Sequence, residues 1–569
     1  MNLCNKKMKE KVERMKKGLR RSLVLGTTIL LLSACGGNTS KKADNSQSGN
    51  TDSKKSARVL NLMEASEIGS MDTIFTQDEP SVNAQSNVFE GLYQLDADDN
   101  VIPAVAKEMP EISEDGKTYT IKLREDAKWS NGDPVTANDF VFAWKKMADP
   151  KNQANYFFLM DGTILNGTEI VNEEKSADEL GVKALDDYTL EVQMEKPVTY
   201  FTSLLAFSPF FPQNEKFVSE KGKDYGTSSE NIVSNGPFLM ENWDQSSMSW
   251  DLVQNPDYYD ADKVKSEKIH FEVLKETNTV FNLYESGELD VAILTGDFAK
   301  QNKENPDYEA IQRSKVYSLR MNQKRNDQPS IFANENVRKA VAYALDKKSL
   351  VENILADGSK DIYGYIPKDF VSNPETGEDF RKEAGELVKT DEKLANEYLE
   401  KAKKELNGDI TIELLSKDGD GDKKVAEFIQ GQLEKTLPGL KINVKTVPLN
   451  NSIELMKKGD YELSVSMWGP DYQDPMTFLE SSVSTKNKTS YRSEKYDQLI
   501  DDASNKYANE PEKRWETLIE AEKVLVEEDA ALIPLYQQAR GQLVRPGVEG
   551  IEYHNFGATS TYKYAYISE

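Results

Sequence analysis

The side chains able to do chemistry in this 569-residue chain are unevenly stocked, with 97 Asp and Glu against two His and two Cys. With His270 and His554 as the sole histidines, a His-based triad or an HExxH zinc helix has too little material. Neither a GxxxxGK[ST] phosphate loop nor a GxSxG nucleophile turn occurs. His270 sits in the alternating stretch Lys268-Ile269-His270-Phe271 and reads as a partly exposed strand residue. Asp418-Gly419-Asp420-Gly421-Asp422 has the carboxylate spacing that opens a calcium loop. Lys423 stands where such a loop needs glycine, however, and Ile429 where it needs a bidentate glutamate, so the stretch reads as a polar turn ahead of a helix. Carboxylate pairs suited to glycoside cleavage could form among so many acids, but no feature selects one. Asp471, in Gly469-Pro470-Asp471-Tyr472, reads from its neighbours alone as a turn acid. No catalytic residue, metal or cofactor is expected.

The two cysteines have a different meaning. Lys16, Lys17, Arg20 and Arg21 precede an apolar run from Leu23 to Leu32, and Ser33-Ala34-Cys35-Gly36-Gly37 follows. A helix of ten to thirteen residues reaches about 15–20 Å, short of the roughly 30 Å hydrocarbon core, so the run reads as an export signal rather than a permanent span. Leu32-Ser33-Ala34-Cys35 resembles the bacterial lipobox, in which the cysteine sulfur receives a diacylglycerol and becomes the new N-terminus. The expectation is a lipoprotein signal peptide over 1–34, with Met15 the preferred start, and a chain anchored at Cys35 to the outer face of the cell membrane. Two acyl chains hold far more firmly than one. Since Cys4 lies in the leader and Cys35 is acylated, the mature fold has no disulfide. Residues 35–57, rich in Ser, Asn, Gly, Asp and Lys, form a flexible tether.

The elements that must position any site begin at Arg58. An apolar content of 38% with 25 Tyr and 21 Phe supports packed cores, and 30% charged residues exclude a polytopic membrane protein. The length implies several domains. The net charge is −26, although nine Lys or Arg against two Glu fall in the first 34 residues, so the rest is more acidic still. Such a surface repels phosphate backbones, and no nucleic-acid partner is expected. Tyr119, Ile121 and Leu123 alternate with polar residues after Asp115-Gly116 as a half-buried antiparallel strand. Leu394, Tyr398, Ala402 and Leu406 mark a helix that stops at Asn407-Gly408. Ile410, Ile412 and Leu414, then Val425, Phe428, Ile429, Leu433 and Leu437 at helical spacing, then Ile442, Val444 and Val447, predict a βαβ unit.

Six phrases run in order along the chain: Phe89-Glu90-Gly91-Leu92-Tyr93; Trp129 to Ala137 with Asp139-Phe140; Ser234-Asn235-Gly236-Pro237-Phe238; Ser286-Gly287-Glu288-Leu289-Asp290; Val337-Arg338-Lys339-Ala340 through Ala344 and Asp346; and Trp468 with Asp471-Tyr472. Their residue types read mostly as structure, an Asn-Gly turn after Trp129 and a helix face at Val337, Ala340 and Ala344. Together they resemble the family 5 extracellular solute-binding proteins, the peptide-binding subunits of bacterial ABC importers. The resemblance implies an α/β type II periplasmic-binding-protein fold of two hinged lobes plus an extra subdomain. Lobe one would comprise 58–91, 214–314 and 539–569, the extra subdomain 92–213, and lobe two 315–538. A monomeric receptor would close on an oligopeptide, hold it by strand-like backbone hydrogen bonds and deliver it to permease subunits.

Carried over residue by residue, Asp471 would pair with the peptide's α-ammonium and Trp468 wall a side-chain pocket. Tyr156 would be a cleft tyrosine, Gln77, Asp78 and Glu79 a strand edge that meets the peptide backbone, and Tyr536 a residue near the second hinge. Val465 and Asp422 stand where enterobacterial members carry an arginine and a histidine that grip the C-terminal carboxylate, so that clamp is expected to be missing. The alternatives are a receptor for a dedicated signal peptide such as a pheromone or for another solute, and, from another class, a surface hydrolase or adhesin.

Overall fold

The computed structural model describes residues 59–568 except Gln77 and Asn407. The expected signal peptide, Cys35 and the tether lie outside the described residues. No helix among the described residues is long and apolar enough to cross a membrane.

Three sheets organise the chain. Leu60–Glu64 pairs parallel with Lys268–Val273, and Ser249–Gln254 and Phe238–Glu241 follow antiparallel to complete four strands. A small antiparallel sheet of Glu111–Ile112, Thr118–Lys122, Thr189–Gln193 and Val182–Asp186 lies within the 92–213 segment. In it Tyr119 and Ile121 are buried while Lys122 is exposed, as the alternation predicts. The largest sheet has the order Val291–Ile293, Leu532–Val544, Tyr308–Met321, Leu463–Trp468, Ile410–Lys417 and Leu440–Val447, with Lys360–Asp361 beside Leu532–Val544.

The predicted βαβ unit forms this sheet's edge. Ile410, Ile412 and Leu414 are buried on one strand, and helix Asp420–Thr436 packs through Val425, Ala426, Ile429 and Leu433. Leu440–Val447 returns parallel to Ile410–Lys417. The crossover that parallel pairing requires is supplied by the helix. Asp422 turns to Lys417, 3.0 Å away, while Asp418 and Asp420 are exposed. Among the described residues no group of three or more His, Cys, Asp or Glu could hold a metal ion. His270 is a half-buried strand residue facing Asp251 at 2.8 Å, and His554 is buried between Asp99 and Thr561.

Two long strands carry the chain through the large sheet. Tyr308–Met321 and Leu532–Val544 pair antiparallel, but Gln312 faces Ala539 and Val316 faces Gln537. Residues 313–315 thus bulge opposite Gln538, and a second irregularity falls where Ser318 meets Pro534. Pro534 has no N–H to give the ladder, which is why it sits at a break in register. A bulge bends a strand and re-aims its side chains. The expected lobe boundaries at 314/315 and 538/539 both lie inside these continuous strands.

The six phrases mostly hold this framework together. The Asn235 side chain accepts from the Glu90 N–H (3.0 Å) and donates to the Glu90 carbonyl (2.9 Å), while the Ser130 N–H donates to Ser234 O at 2.7 Å. Trp129 is fully buried with its indole toward Asp139, and Thr136 and Asp139 form a capping box on helix Ala137–Ala148. Gly132 takes φ +89° in the Asn-Gly turn. Val337, Ala340, Val341 and Ala344 form the buried face of helix Glu335–Ala344.

Candidate functional site

In open α/β sheets ligands sit beyond the carboxyl ends of the strands. Leu463–Trp468 ends at Trp468, and the turn that follows carries Asp471. Thr477, on the short helix Met476–Leu479, fastens that turn twice: its carbonyl accepts from the Trp468 indole at 2.9 Å, and its hydroxyl accepts from the Asp471 N–H at 3.0 Å. Trp468 and Asp471 are thereby held in one rigid unit.

Asp471 is 7% exposed. Burial, reinforced by the nearby Glu480 carboxylate, pushes its pKa up to about 8 against a weaker opposing hydrogen bond from Tyr156. It forms no ion pair with the described residues; its side-chain contact is the Tyr156 hydroxyl, which donates to Oδ1 at 3.4 Å. A desolvated carboxyl without a cation is poised to receive one, because an ammonium restores by Coulomb attraction what burial removed.

Tyr156 comes from the 92–213 segment, with its ring edge-on to Phe207 (5.0 Å) and tilted to Phe158 (5.6 Å). Burial foremost, and the negative charges of Asp471 and Asp78, hold its hydroxyl well above the usual tyrosine range. The tyrosine therefore keeps its proton and donates a hydrogen bond to Asp471.

Of the strand edge expected over Gln77 to Glu79, the described residues Asp78 and Glu79 form a helix start instead. Gln77 lies outside the described residues, Asp78 caps helix Glu79–Val88 by accepting from the Ser81 N–H and hydroxyl, both at 2.8 Å, and Glu79 opens that helix. The physical reason is local: an N-cap aspartate followed by an acid and a proline starts a helix. Glu79 pairs with Lys315 and accepts from the Thr559 hydroxyl at 2.6 Å. Its pKa is about 2, because the Lys315 and Arg313 cations overcome the larger upward push of burial. Lys315 lies in the bulge, and its stem packs on Gly469, where a Cβ would come within 3.3 Å of Lys315 Cγ.

Tyr536 stacks on Tyr317 at 4.6 Å, and Lys417 lies over Tyr317 at 5.5 Å. Val465 is buried in the core, and Asp422 is engaged by Lys417. The structure thus joins Asp471 to Tyr156 directly and to Trp468 through Thr477, brings Asp78 within electrostatic reach of Tyr156, and links Glu79 to the Asp471 turn through Lys315. Tyr536 belongs to a Tyr317–Lys417 group that the Glu79 charge reaches electrostatically. Sequence reasoning missed Lys315, Thr477, Tyr317 and Lys417. A lysine ahead of the apolar Val316 and Leu319 was the available signal for Lys315; the others have none.

This arrangement, a mixed sheet crossed by two continuous strands with a desolvated carboxyl beyond a strand end, has the type II binding-protein fold. The chain belongs to the bacterial extracellular solute-binding proteins of family 5, whose middle-region model matches residues 100–490. It is 33% identical over 562 residues to the dipeptide-binding protein of Lactococcus lactis subsp. cremoris, covering 96% of this chain and 98% of that one. Among solved structures it resembles peptide-bound OppA of Listeria monocytogenes, with 42% identity, a TM-score of 0.85, and coverage of 90% of this chain and 99% of that chain. The pheromone receptor PrgZ, solved to show its mode of peptide binding, is 38% identical with a TM-score of 0.85, over 90% of this chain and all of its own.

Proposed function

We propose that this protein is an extracellular receptor that binds oligopeptides between two lobes and delivers them to the permease of an ABC importer. Asp471 carries the reading: it is a buried carboxyl beyond a strand end, held by Thr477 and hydrogen-bonded by Tyr156. A peptide's free α-ammonium supplies the charge this environment asks for. The relatives' peptide-binding names support the same ligand class. Trp468 walls the first side-chain pocket, while Asp78, Glu79 and Tyr536 line the remainder of the cleft. Lobe one comprises 58–91, 214–314 and 539–569, the extra subdomain 92–213 and lobe two 315–538, with the hinge at the bulge of residues 313–315. The receptor works as a monomer without catalysis.

The chain is held at the outer membrane face by lipid on Cys35. Cys35→Ala abolishes incorporation of a fatty-acid analogue; equal labelling of wild type and variant overturns the anchor.

Native mass spectrometry of the purified protein tests the ligand class. A ladder of peptide masses identifies a general receptor and a single peptide mass a dedicated one. A single defined non-peptide mass refutes the proposal.

A further inference from the structure

Four contacts join the 92–213 segment to the 471–505 region around the candidate anchor. The Tyr156 hydroxyl reaches Asp471 at 3.4 Å; the Tyr200 ring stacks on Tyr472 at 4.1 Å and 11°; the Lys196 ammonium donates to Asn505 Oδ1 at 3.0 Å; and Lys486 pairs with Asp161 at 3.7 Å. A cavity of about 200 Å³ is lined by Phe158, Lys196 and Tyr200 on one side and Glu480, Lys486 and Asn505 on the other, so that the Lys196–Asn505 and Lys486–Asp161 contacts lie along its wall. The tyrosine stack is the one large apolar contact among these four.

Tyr472 follows Asp471 in the chain and is fully buried, with its hydroxyl donating to Glu480 at 2.8 Å. Glu480 is also the carboxylate that helps raise the Asp471 pKa. Tyr200 is half-buried at the start of the short helix Phe201–Leu204 and belongs to the other side of the seam. The near-parallel rings are stacked, with Tyr200 on the 92–213 side and Tyr472 beside Asp471.

Resting on the peptide-receptor reading, we infer that Tyr200 is a positioning residue for ligand retention: it braces the extra subdomain against Tyr472 and holds the Asp471 end of the cleft shut, without touching the ligand. Such a brace sets the fraction of molecules in the closed arrangement, and apparent affinity scales with that fraction. Its loss weakens every ligand by one common factor. A residue contacting ligand weakens some peptides more than others.

The test compares wild type, Tyr200→Leu and Tyr200→Phe as full-length mature protein. Tyr200→Leu raises Kd about 2- to 13-fold, the range of one aromatic pair, by the same factor for α-amino and α-N-acetylated peptides and for peptides of different sequence. The change appears in the dissociation rate, and small-angle scattering of the peptide-stripped protein gives a larger radius of gyration than wild type. Tyr200→Phe keeps the stack and stays within about twofold of wild type. Melting temperatures of the three proteins establish that each is folded. Unchanged affinity and radius in Tyr200→Leu overturn the brace, and so does a loss confined to particular peptides. If no peptide binds wild type, the receptor reading fails, while the comparison of radii still decides the brace.

Discussion

Replacing Asp471 by Asn tests the site at its most exposed point of physical reasoning. The rise of the carboxyl pKa from 3.8 to about 8 corresponds to about 5–6 kcal/mol against the ionised form in the closed cleft. That is an upper bound, because opening the cleft returns water to the group. The sign follows from linkage: a group whose folded pKa is raised contributes its stability at low pH and loses it as pH climbs. For Asp471 the loss runs between about pH 4, where the unfolded carboxyl ionises, and about pH 8, where the folded one does. Asn carries no proton to lose. Peptide-stripped Asp471→Asn protein therefore melts higher than wild type at pH 7.5, and the difference shrinks toward pH 4.

Binding moves the other way. An α-ammonium requires the carboxylate, so wild type releases a proton on binding, and its affinity for free-amine peptides rises with pH until the ligand's own amine, with a pKa near 8, deprotonates. Asp471→Asn or acetylation of the peptide each removes one member of a desolvated pair, at about 2–5 kcal/mol, or roughly 30-fold to several thousandfold in Kd. The two losses do not add, and a calorimetric cycle over both proteins and both peptides shows strong coupling. Equal affinity of wild type for free and acetylated peptides refutes the anchor. Identical melting of wild type and Asp471→Asn across pH 4 to 8 refutes the burial argument behind it.

Thr477→Val keeps the shape but strands the Asp471 N–H and frees the turn; it costs about 1–3 kcal/mol of stability, and peptide affinity falls while Thr477→Ser restores it, as calorimetry and melting will show. Glu522 accepts the Tyr365 and Ile366 N–H groups at 2.6 and 2.8 Å and pairs with Arg381 at 2.6 Å, fully buried. Glu522→Gln leaves Arg381 without its counter-charge and destabilises by about 3–5 kcal/mol in denaturant titration, with peptide affinity of the folded fraction unchanged. At Gly91 a Cβ would come within 2.5 Å of the Phe211 ring, so Gly91→Ala lowers stability by about 1–3 kcal/mol by overpacking.

Periodicity made the βαβ unit and the Thr118–Lys122 strand legible, because burial of one face imprints its spacing directly on the sequence. The site was legible only in part. Asp471 stands out from other turn acids through its burial and through Tyr156, 315 positions away in the chain, and no local pattern encodes a neighbour that distant. The resemblance supplied the position; the environment came from the fold. At Asp78-Glu79-Pro80 the reverse happened: the local text spells a helix start, and the expectation of a strand edge passed over it. Lys315 and Lys417 were hidden for another reason. A lysine in a strand reads as solvent-facing, and only the bulge at 313–315 and the neighbouring Asp422 turn these two inward.

The pairing of Leu60–Glu64 with Lys268–Val273, and of helix Glu79–Val88 with the C-terminal stretch, has a consequence in time. The Asn83 side chain accepts from the Thr559 N–H at 2.9 Å and Asn87 from the Tyr562 N–H at 2.8 Å, joining residues 476 and 475 positions apart. A chain emerging N-terminus first cannot make these bonds until residues 559–562 have appeared. Completion of helix Glu79–Val88 must therefore wait for residues made about 475 positions later, so Asn83 and Asn87 stay unsatisfied until then, and loss of residues 559–562 injures a segment far upstream in the chain.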